Sequence, residues 1–276
     1  MNTSLPFMRF QNKQEEELWH ELREHIEQIV RTYSGNNDPE RITRVTNNWF
    51  DDRGDYDGRW AVIQRSLKEK EKILDMAAGY GTFLLHGLNL GCDMWGVEPE
   101  SYKQQYFVKK ISASGYPTAF RERFIPGWGE ALPFPDAHFG LVTTYQTLEH
   151  VRDVGQCLSE MLRVLKPGGA LYIRAPDYGS FFEPHYGIPF WPKMNKNIAA
   201  IYLKLLGRPL TALHDLNWVT EKQIIALIQK LPYVTNIAGT SAPLFVSGQS
   251  LKQRLTRFGH FLRRKKQIDL WVTKIK

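Results

Sequence analysis

Cysteine is scarce. Cys92 and Cys157 are the only two in 276 residues, far apart and without metal-ligand spacing around either. Their scarcity excludes a disulfide framework and points to free thiols in a reducing compartment. Long apolar runs are absent as well: no stretch approaches the roughly 18 residues of a membrane span, and residues 1–14 are polar where a secretory signal carries an apolar centre. The expected location is the cytoplasm. There are no internal repeats and no low-complexity run, so a stacked-repeat architecture is excluded. Excess charge is missing from most of the chain. The net charge is +7, and residues 249–276 carry nine Lys and Arg against Asp269 alone, a local +8 that leaves −1 for everything before. A chain-wide basic surface is thereby excluded, and with no separate recognition domain visible, nucleic acid is disfavoured as a partner.

What is present suits a soluble globular protein. Hydrophobic residues make up 42% and charged residues 24%, and 276 residues suffice for one α/β domain with additions. The stretch Lys72-Ile73-Leu74-Asp75-Met76-Ala77-Ala78-Gly79-Tyr80-Gly81-Thr82-Phe83-Leu84-Leu85 organises the rest. It reads as strand, glycine turn, helix, with Gly79 and Gly81 allowing a sharp turn and close approach to a ligand. A dinucleotide loop wants a third glycine where Leu84 stands, and Asp75 would repel a pyrophosphate at the helix start. The same carboxylate suits a ligand carrying an ammonium and a sulfonium. Met94-Trp95-Gly96-Val97-Glu98 then reads as a second strand, ending 23 residues after Asp75 in an acid placed to meet a ribose.

These segments, with Gly129-Glu130-Ala131-Leu132-Pro133-Phe134-Pro135-Asp136, Thr147-Leu148-Glu149-His150-Val151 and Arg163-Val164-Leu165-Lys166-Pro167-Gly168-Gly169, resemble the class I S-adenosylmethionine-dependent methyltransferases of the type-11 group. The resemblance runs over residues 72–177. It implies a Rossmann-like, doubly wound α/β fold with a mostly parallel sheet of about seven strands, and S-adenosyl-L-methionine as cofactor. Carried onto this sequence, the cofactor residues are Asp75, Ala77, Gly79, Tyr80, Gly81, Glu98, Pro99, Trp128, Gly129, Glu130, Tyr145 and Gln146. Two positions depart from the pattern. Trp128 replaces the usual acid at the adenine, where an indole stacks but accepts no hydrogen bond, so Glu130 is the substitute acceptor. Gly140 stands where the family has an aspartate.

Along the chain, residues 13–33 read as an amphipathic helix with Leu18, Leu22, Ile26 and Ile29 on one face, either covering the cofactor or packing on the domain. Residues 1–68 are thus an N-terminal helical extension, with the aromatic and acidic loop 49–58 as a lid candidate before a helix near 59–68. Residues 69–276 form the methyltransferase domain. Helices are expected at 82–89, 101–114, 151–165, 198–206 and 220–230, and strands at 118–121, 139–145, 170–174, 233–237 and 268–273.

After the fifth strand, residues 175–219 form a proline- and aromatic-rich insertion, read as the acceptor wall or as a packed excursion. Its Glu183-Pro184-His185-Tyr186-Gly187-Ile188-Pro189-Phe190-Trp191-Pro192 segment is more loosely similar to methyltransferases of cell-surface glycan assembly. His185 is the first choice for a general base, since imidazole titrates near the working pH. Tyr186, His214 and His150 follow. No metal site is expected. Residues 249–266 read as a basic amphipathic helix that lies on an anionic membrane or packs on the last strands. The expected function is methyl transfer to a small or lipid-linked acceptor, with a surface-glycan sugar oxygen in front. A quinone or aromatic natural product is the alternative, and a non-catalytic binding protein the reading from another class.

Overall fold

The apolar run at Ile73 lies at the centre of a sheet flanked by helices. A computed structural model describes residues 9–35, 38–55, 58–67, 71–239 and 266–276. The expected basic helix at 249–266 falls almost wholly outside these residues. In chain order the elements are α1 (Lys13–Ser34), α2 (Pro39–Phe50), α3 (Arg59–Gln64), β1 (Lys72–Met76), α4 (Thr82–Asn89), β2 (Asp93–Glu98), α5 (Ser101–Ala113), β3 (Phe124–Pro126), β4 (Phe139–Tyr145), α6 (Val154–Val164) and β5 (Leu165–Pro176). They continue with β6 (Phe182–Glu183), β7 (Ile188–Pro189), α7 (Lys196–Leu205), α8 (Thr211–Asp215), α9 (Glu221–Gln229), β8 (Thr235–Gly239) and β9 (Gln267–Lys274). Seven strands form one sheet in the order β3-β2-β1-β4-β5-β9-β8, with β9 antiparallel to both its neighbours and the β1–β5 strands parallel. This is the doubly wound, mostly parallel sheet expected.

Alternation along each strand divides the core in two. Leu74, Met76, Val142, Leu171 and Val272 pack on one side with Leu158, Met161 and Ile224 of α6 and α9. Ile73, Met94, Leu141 and Tyr172 pack on the other with Ile63, Leu84, Leu88, Phe107 and Ile111 of α3, α4 and α5.

Several boundaries moved for local reasons. The third strand, expected at 118–121, is instead a 3-10 turn over Thr118–Arg123, and the strand begins at Phe124. The turn has no buried side chain, whereas Phe124 stacks on Phe107 with centroids 4.3 Å apart. The helix expected from Val151 starts at Val154 because the Asp153 side chain caps it, accepting from Gln156 N at 3.0 Å. It ends at Val164, and the chain enters β5 directly at Leu165. The helix near 59–68 is shorter, Arg59–Gln64.

One helix was missed altogether. Asp38-Pro39-Glu40 is a cap, a first-turn proline and a first-turn acid, and Asp38 accepts from Glu40 N at 3.0 Å to open α2. Helices α1 and α2 pack through Leu18, Leu22, Ile26, Val30, Ile42 and Phe50 onto Tyr80 and Tyr106. The N-terminal helices therefore rest on the glycine turn itself. The insertion closes on its own small core, with Tyr186, Ile188, Phe190, Leu203, Leu213 and Leu216 packed together. No helix among the described residues is long and apolar enough to cross a membrane.

Candidate functional site

Two neighbouring strand ends carry non-glycine residues in left-handed backbone, Ala77 at φ 62 after β1 and Gln146 at φ 54 after β4. The strands pair in parallel from Ile73 with Leu141 to Met76 with Thr144, so both residues leave the sheet at one carboxyl edge. Such conformations cost about 1–3 kcal/mol and cluster where the backbone must meet a ligand. Ligands of open parallel sheets bind at that edge.

The turn after β1 is built from main-chain ties. Ala78 N donates to Val97 O at 2.9 Å, and Gly79 N donates to the Glu98 carboxylate at 2.9 Å. The other Glu98 oxygen accepts from Glu100 N at 3.2 Å, and Lys103 Nζ lies 3.6 Å away. Burial raises the Glu98 carboxyl, while Lys103 and the two amides pull it back. Each carboxylate oxygen has a second lone pair, enough for a ribose hydroxyl. Gly79, at φ 59, would direct a Cβ into open space with nothing within 4 Å. Gly81, at φ 76, has no such room: a Cβ would stand 2.2 Å from the Phe107 ring.

Asp75 is fully buried, as its place in β1 demands, but it does not wait alone for a cation. Arg59 at the start of α3 reaches it, and Arg59 also donates to Thr143 Oγ1 at 3.0 Å, which in turn donates to Asp75 at 3.0 Å. The guanidinium carbon lies 3.9 Å from the Phe83 ring centroid and 5.0 Å from that of Tyr145. Burial raises the Asp75 carboxyl against the pull of Arg59 and Thr143. The ammonium-facing role expected for Asp75 is thus shared with a protein cation.

The residues present fit an amino-acid-bearing sulfonium ligand. Asp75 Oδ2, Arg59 Nε and Thr144 Oγ1 are buried without a hydrogen-bond partner at the sheet edge, an acceptor and a donor suited to an ammonium and a carboxylate. Glu98 stands at the adjacent strand end. Beyond β3, Trp128 is half exposed, and the Arg152 guanidinium carbon lies 4.4 Å from its ring centroid. Glu130 is engaged elsewhere. One of its oxygens accepts from Arg152 N at 2.8 Å and Asp153 N at 3.3 Å at the start of α6. Gly129 is buried, and a Cβ there would meet Met76 Sδ at 2.8 Å. Pro99 is half buried beside Glu98, and Gln146 N donates to Arg174 O at 2.8 Å.

The open space above Gly79 gives a direct test. Gly79→Val should lower affinity for S-adenosylmethionine at least tenfold in calorimetric titration, while the left-handed φ alone costs stability only about 1–2 kcal/mol. Unchanged affinity in the folded variant would place the ligand elsewhere.

Beyond Gln146 the chain turns through Thr147-Leu148-Glu149-His150 and meets the insertion. Glu149 is fully buried, and neither carboxylate oxygen has a hydrogen-bond partner. His150 Nε2 lies 3.9 Å from Glu149 Oε1, and the His150 and His185 rings meet edge to face at 5.2 Å. His185 Nδ1 is 2.8 Å from Glu183 and 3.2 Å from the Tyr178 hydroxyl. Burial pushes the Glu149 carboxyl up to about 7 and the His150 imidazole down to about 3. Burial also pulls His185 down, but the hydrogen bond and charge of Glu183 outweigh it and leave His185 above its ordinary value.

His150 and His185, 35 residues apart in sequence, thus come together, whereas the other two candidate bases stand apart. Tyr186 is buried in the insertion, where its hydroxyl accepts from Leu213 N at 3.2 Å. His214 is exposed on α8, and its carbonyl accepts from Lys196 at 3.4 Å. Tyr145 sits at the end of β4 between the Arg59 and Arg174 guanidiniums, at 5.0 and 5.2 Å. Arg59, Thr143 and Glu183 escaped the sequence reading. Only Glu183 left a signal, an acid two residues before a histidine across a proline.

Comparison with known proteins bears on the same part of the chain. The family described as a methyltransferase domain matches residues 74–173. A ubiquinone/menaquinone biosynthesis C-methyltransferase, UbiE, from Psychromonas ingrahamii is 41% identical over 158 residues, covering 51% of this chain and 59% of that protein. A demethylmenaquinone methyltransferase from Chlorobaculum tepidum is 29% identical over 127 residues, covering 44% and 50%. The chain therefore spans about half the length of these curated relatives. Among solved structures, a methyltransferase from Archaeoglobus fulgidus shares the fold with a TM-score of 0.51 at 13% identity, covering 79% of this chain and 91% of that one. With the glycine turn, the Glu98 strand end and the strand order, residues 74–173 match a methyltransferase domain on a doubly wound α/β sheet.

Proposed function

We propose that this enzyme methylates a ring carbon of a small quinol-type acceptor, and that Arg59, Asp75, Gly79 and Glu98 hold the methyl donor. The similarity to UbiE supports the acceptor class, since a relative named for quinone biosynthesis is 41% identical over 158 residues, about half of this chain. The sugar oxygen favoured by the sequence has no such support, and the quinone alternative takes its place. Bound S-adenosylmethionine supplies a methyl already activated on a sulfonium.

The chain's own residues position and desolvate. Glu98 and the Gly79 amide fix the ribose side, while the Arg59 and Asp75 pair orients the amino-acid end and so aims the methyl across the sheet edge. Glu149, His150 and His185 hold the acceptor's phenolic oxygen, and loss of its proton there raises the electron density of the ring carbon that attacks. In-line approach of two oriented reactants supplies much of the acceleration. Residues 175–219 wall the acceptor side, with Tyr178 and Trp218 as apolar surface, their centroids 4.7 Å apart. A lid formed by residues 49–55 and 58 is part of the same reading, because Thr82 at the start of α4 donates to Trp49 O.

The test is incubation with S-adenosylmethionine and a reduced demethylnaphthoquinol, analysed by mass spectrometry with a monosaccharide series in parallel. A ring-methylated quinol is the expected product. Methylated sugar with no quinol product would overturn the acceptor class, and cofactor binding without any transfer would favour a binding protein.

A further inference from the structure

The sequence offers no metal motif, yet the fold brings three ligand-type side chains to one point. One ligand atom each from Glu149, His150 and His185 lies within 4.8 Å of the other two. We infer that these three residues bind one divalent transition-metal ion of the zinc class, leaving a position open towards the acceptor side. The site stands on its geometry alone. Only its use, holding the acceptor oxygen as an anion, rests on the quinol reading.

Three observations converge on an ion. Glu149 is fully buried with both carboxylate oxygens unpartnered, although buried carboxylates are ordinarily paired or coordinating. Its ion-pair partner among the described residues is His150 itself, at 3.9 Å, while Arg41 reaches the main-chain oxygen of His185, at 3.5 Å. The second observation is the orientation of His185. Its Nδ1 is fixed at 2.8 Å from the buried Glu183 carboxylate and 3.2 Å from Tyr178, which leaves Nε2 for the ion. A carboxylate behind a histidine is the outer arrangement that metal-binding imidazoles need to fix the ring and its tautomer. Glu183 is itself held, its other oxygen accepting from Tyr186 N at 2.6 Å. Third, His150 keeps 38% of its side-chain surface exposed, an approach route for a hydrated ion to the buried Glu149 and half-buried His185.

The donor set selects the metal class. Two imidazoles and one carboxylate suit zinc, iron or cobalt, whereas magnesium and calcium favour all-oxygen sites. Three protein ligands with a fourth position open is also the pattern of catalytic rather than structural zinc. The anion-stabilising role follows without any rearrangement of the chain. An acceptor hydroxyl bound at the open position releases its proton to solvent and stays as oxyanion beside the ring carbon to be methylated.

Full-length protein stripped with a chelator is titrated with Zn2+ in competition with a chromophoric chelator, without acceptor. One equivalent should bind, with Mg2+ failing to displace it. Glu149→Gln and His185→Ala should each abolish the stoichiometric step, and Glu183→Gln should weaken it roughly 10–100-fold while leaving one equivalent. S-adenosylmethionine affinity on the same samples reports folding. No stoichiometric uptake by the wild-type chain, or uptake unchanged in Glu149→Gln and His185→Ala, would overturn the site. Should either variant fail to fold, cobalt-substituted wild type decides: imidazole proton resonances shifted by the paramagnetic ion from two histidines support it, and their absence overturns it. Zinc binding with no quinol methylation would leave the site standing and remove the acceptor reading instead.

Discussion

Asp75→Ala should lower the melting temperature by about 10 °C and leave no measurable affinity for S-adenosylmethionine. The size follows from what the substitution strands. Arg59 is almost wholly buried and faces Asp75, Thr143 and two aromatic rings, so removing the carboxylate leaves a guanidinium with only a hydroxyl to meet its charge. Breaking one side of a buried ion pair costs about 3–5 kcal/mol, and each kcal/mol moves the midpoint of a domain this large by about 2–4 °C. Asp75→Asn isolates the charge from the shape, because an amide still accepts from Thr143. It should recover part of the stability and little of the affinity. Scanning calorimetry and titration on both variants separate the two effects. If Asp75→Ala melts as the wild type does, the pair does not hold α3 to the sheet; if it also binds the donor normally, the loop is not the cofactor site.

Most of the sheet and its turn could be read from residues 72–98, because there every signal is local. An apolar run of strand length, a glycine pair and a helical repeat each specify their own backbone, and α4 starts and stops at Thr82 and Asn89 as the pattern requires. Gly140 was also visible as a departure, and a Cβ there would stand 2.6 Å from the Glu71 side chain, whose flexible end would have to swing aside. What could not be read is whatever depends on distant chain segments meeting. Arg59 lies 16 residues before Asp75 at the start of an expected helix, and no periodicity says that its head turns inward. Similarly, Glu149 and His185 belong to different layers of the fold, and each read singly is a plausible packing residue. The N-terminal helix illustrates the middle ground. Its amphipathic face was evident, but Val30 rather than Ile29 proved the buried member, and Glu15 is completely buried against Arg53 and Ser114.

That buried acid belongs to a set of contacts through which the N-terminal helices reach the cofactor turn, and the strongest of them is open to test. Lys110 of α5 and Asp52 just beyond α2 are both almost inaccessible and lie 3.1 Å apart, with Tyr116 donating to the same carboxylate. Lys110 Nζ also lies 3.5 Å from the centroid of the Phe50 ring. Burial lowers the Lys110 amine and Asp52 pulls it back up. Lys110→Ala should therefore destabilise by about 3–5 kcal/mol through the abandoned Asp52 charge, with loss of hydrogen-exchange protection concentrated in α1 and α2. The double variant Lys110→Met with Asp52→Asn removes both charges while keeping their volume, and should regain most of the loss, since neutral replacements of a buried pair are often tolerated. The effect should also extend to the donor site. Thr82 is tied to Trp49 O, and the Trp49 and Tyr80 rings lie 5.1 Å apart, so loosened helices relax the turn that carries Gly79 and Gly81. A single variant whose stability equals that of the double one would show that Asp52 does not depend on Lys110. Equal donor affinity in wild type and Lys110→Ala, with α1 and α2 demonstrably exchanging faster, would show that the helices pack on the turn without shaping it.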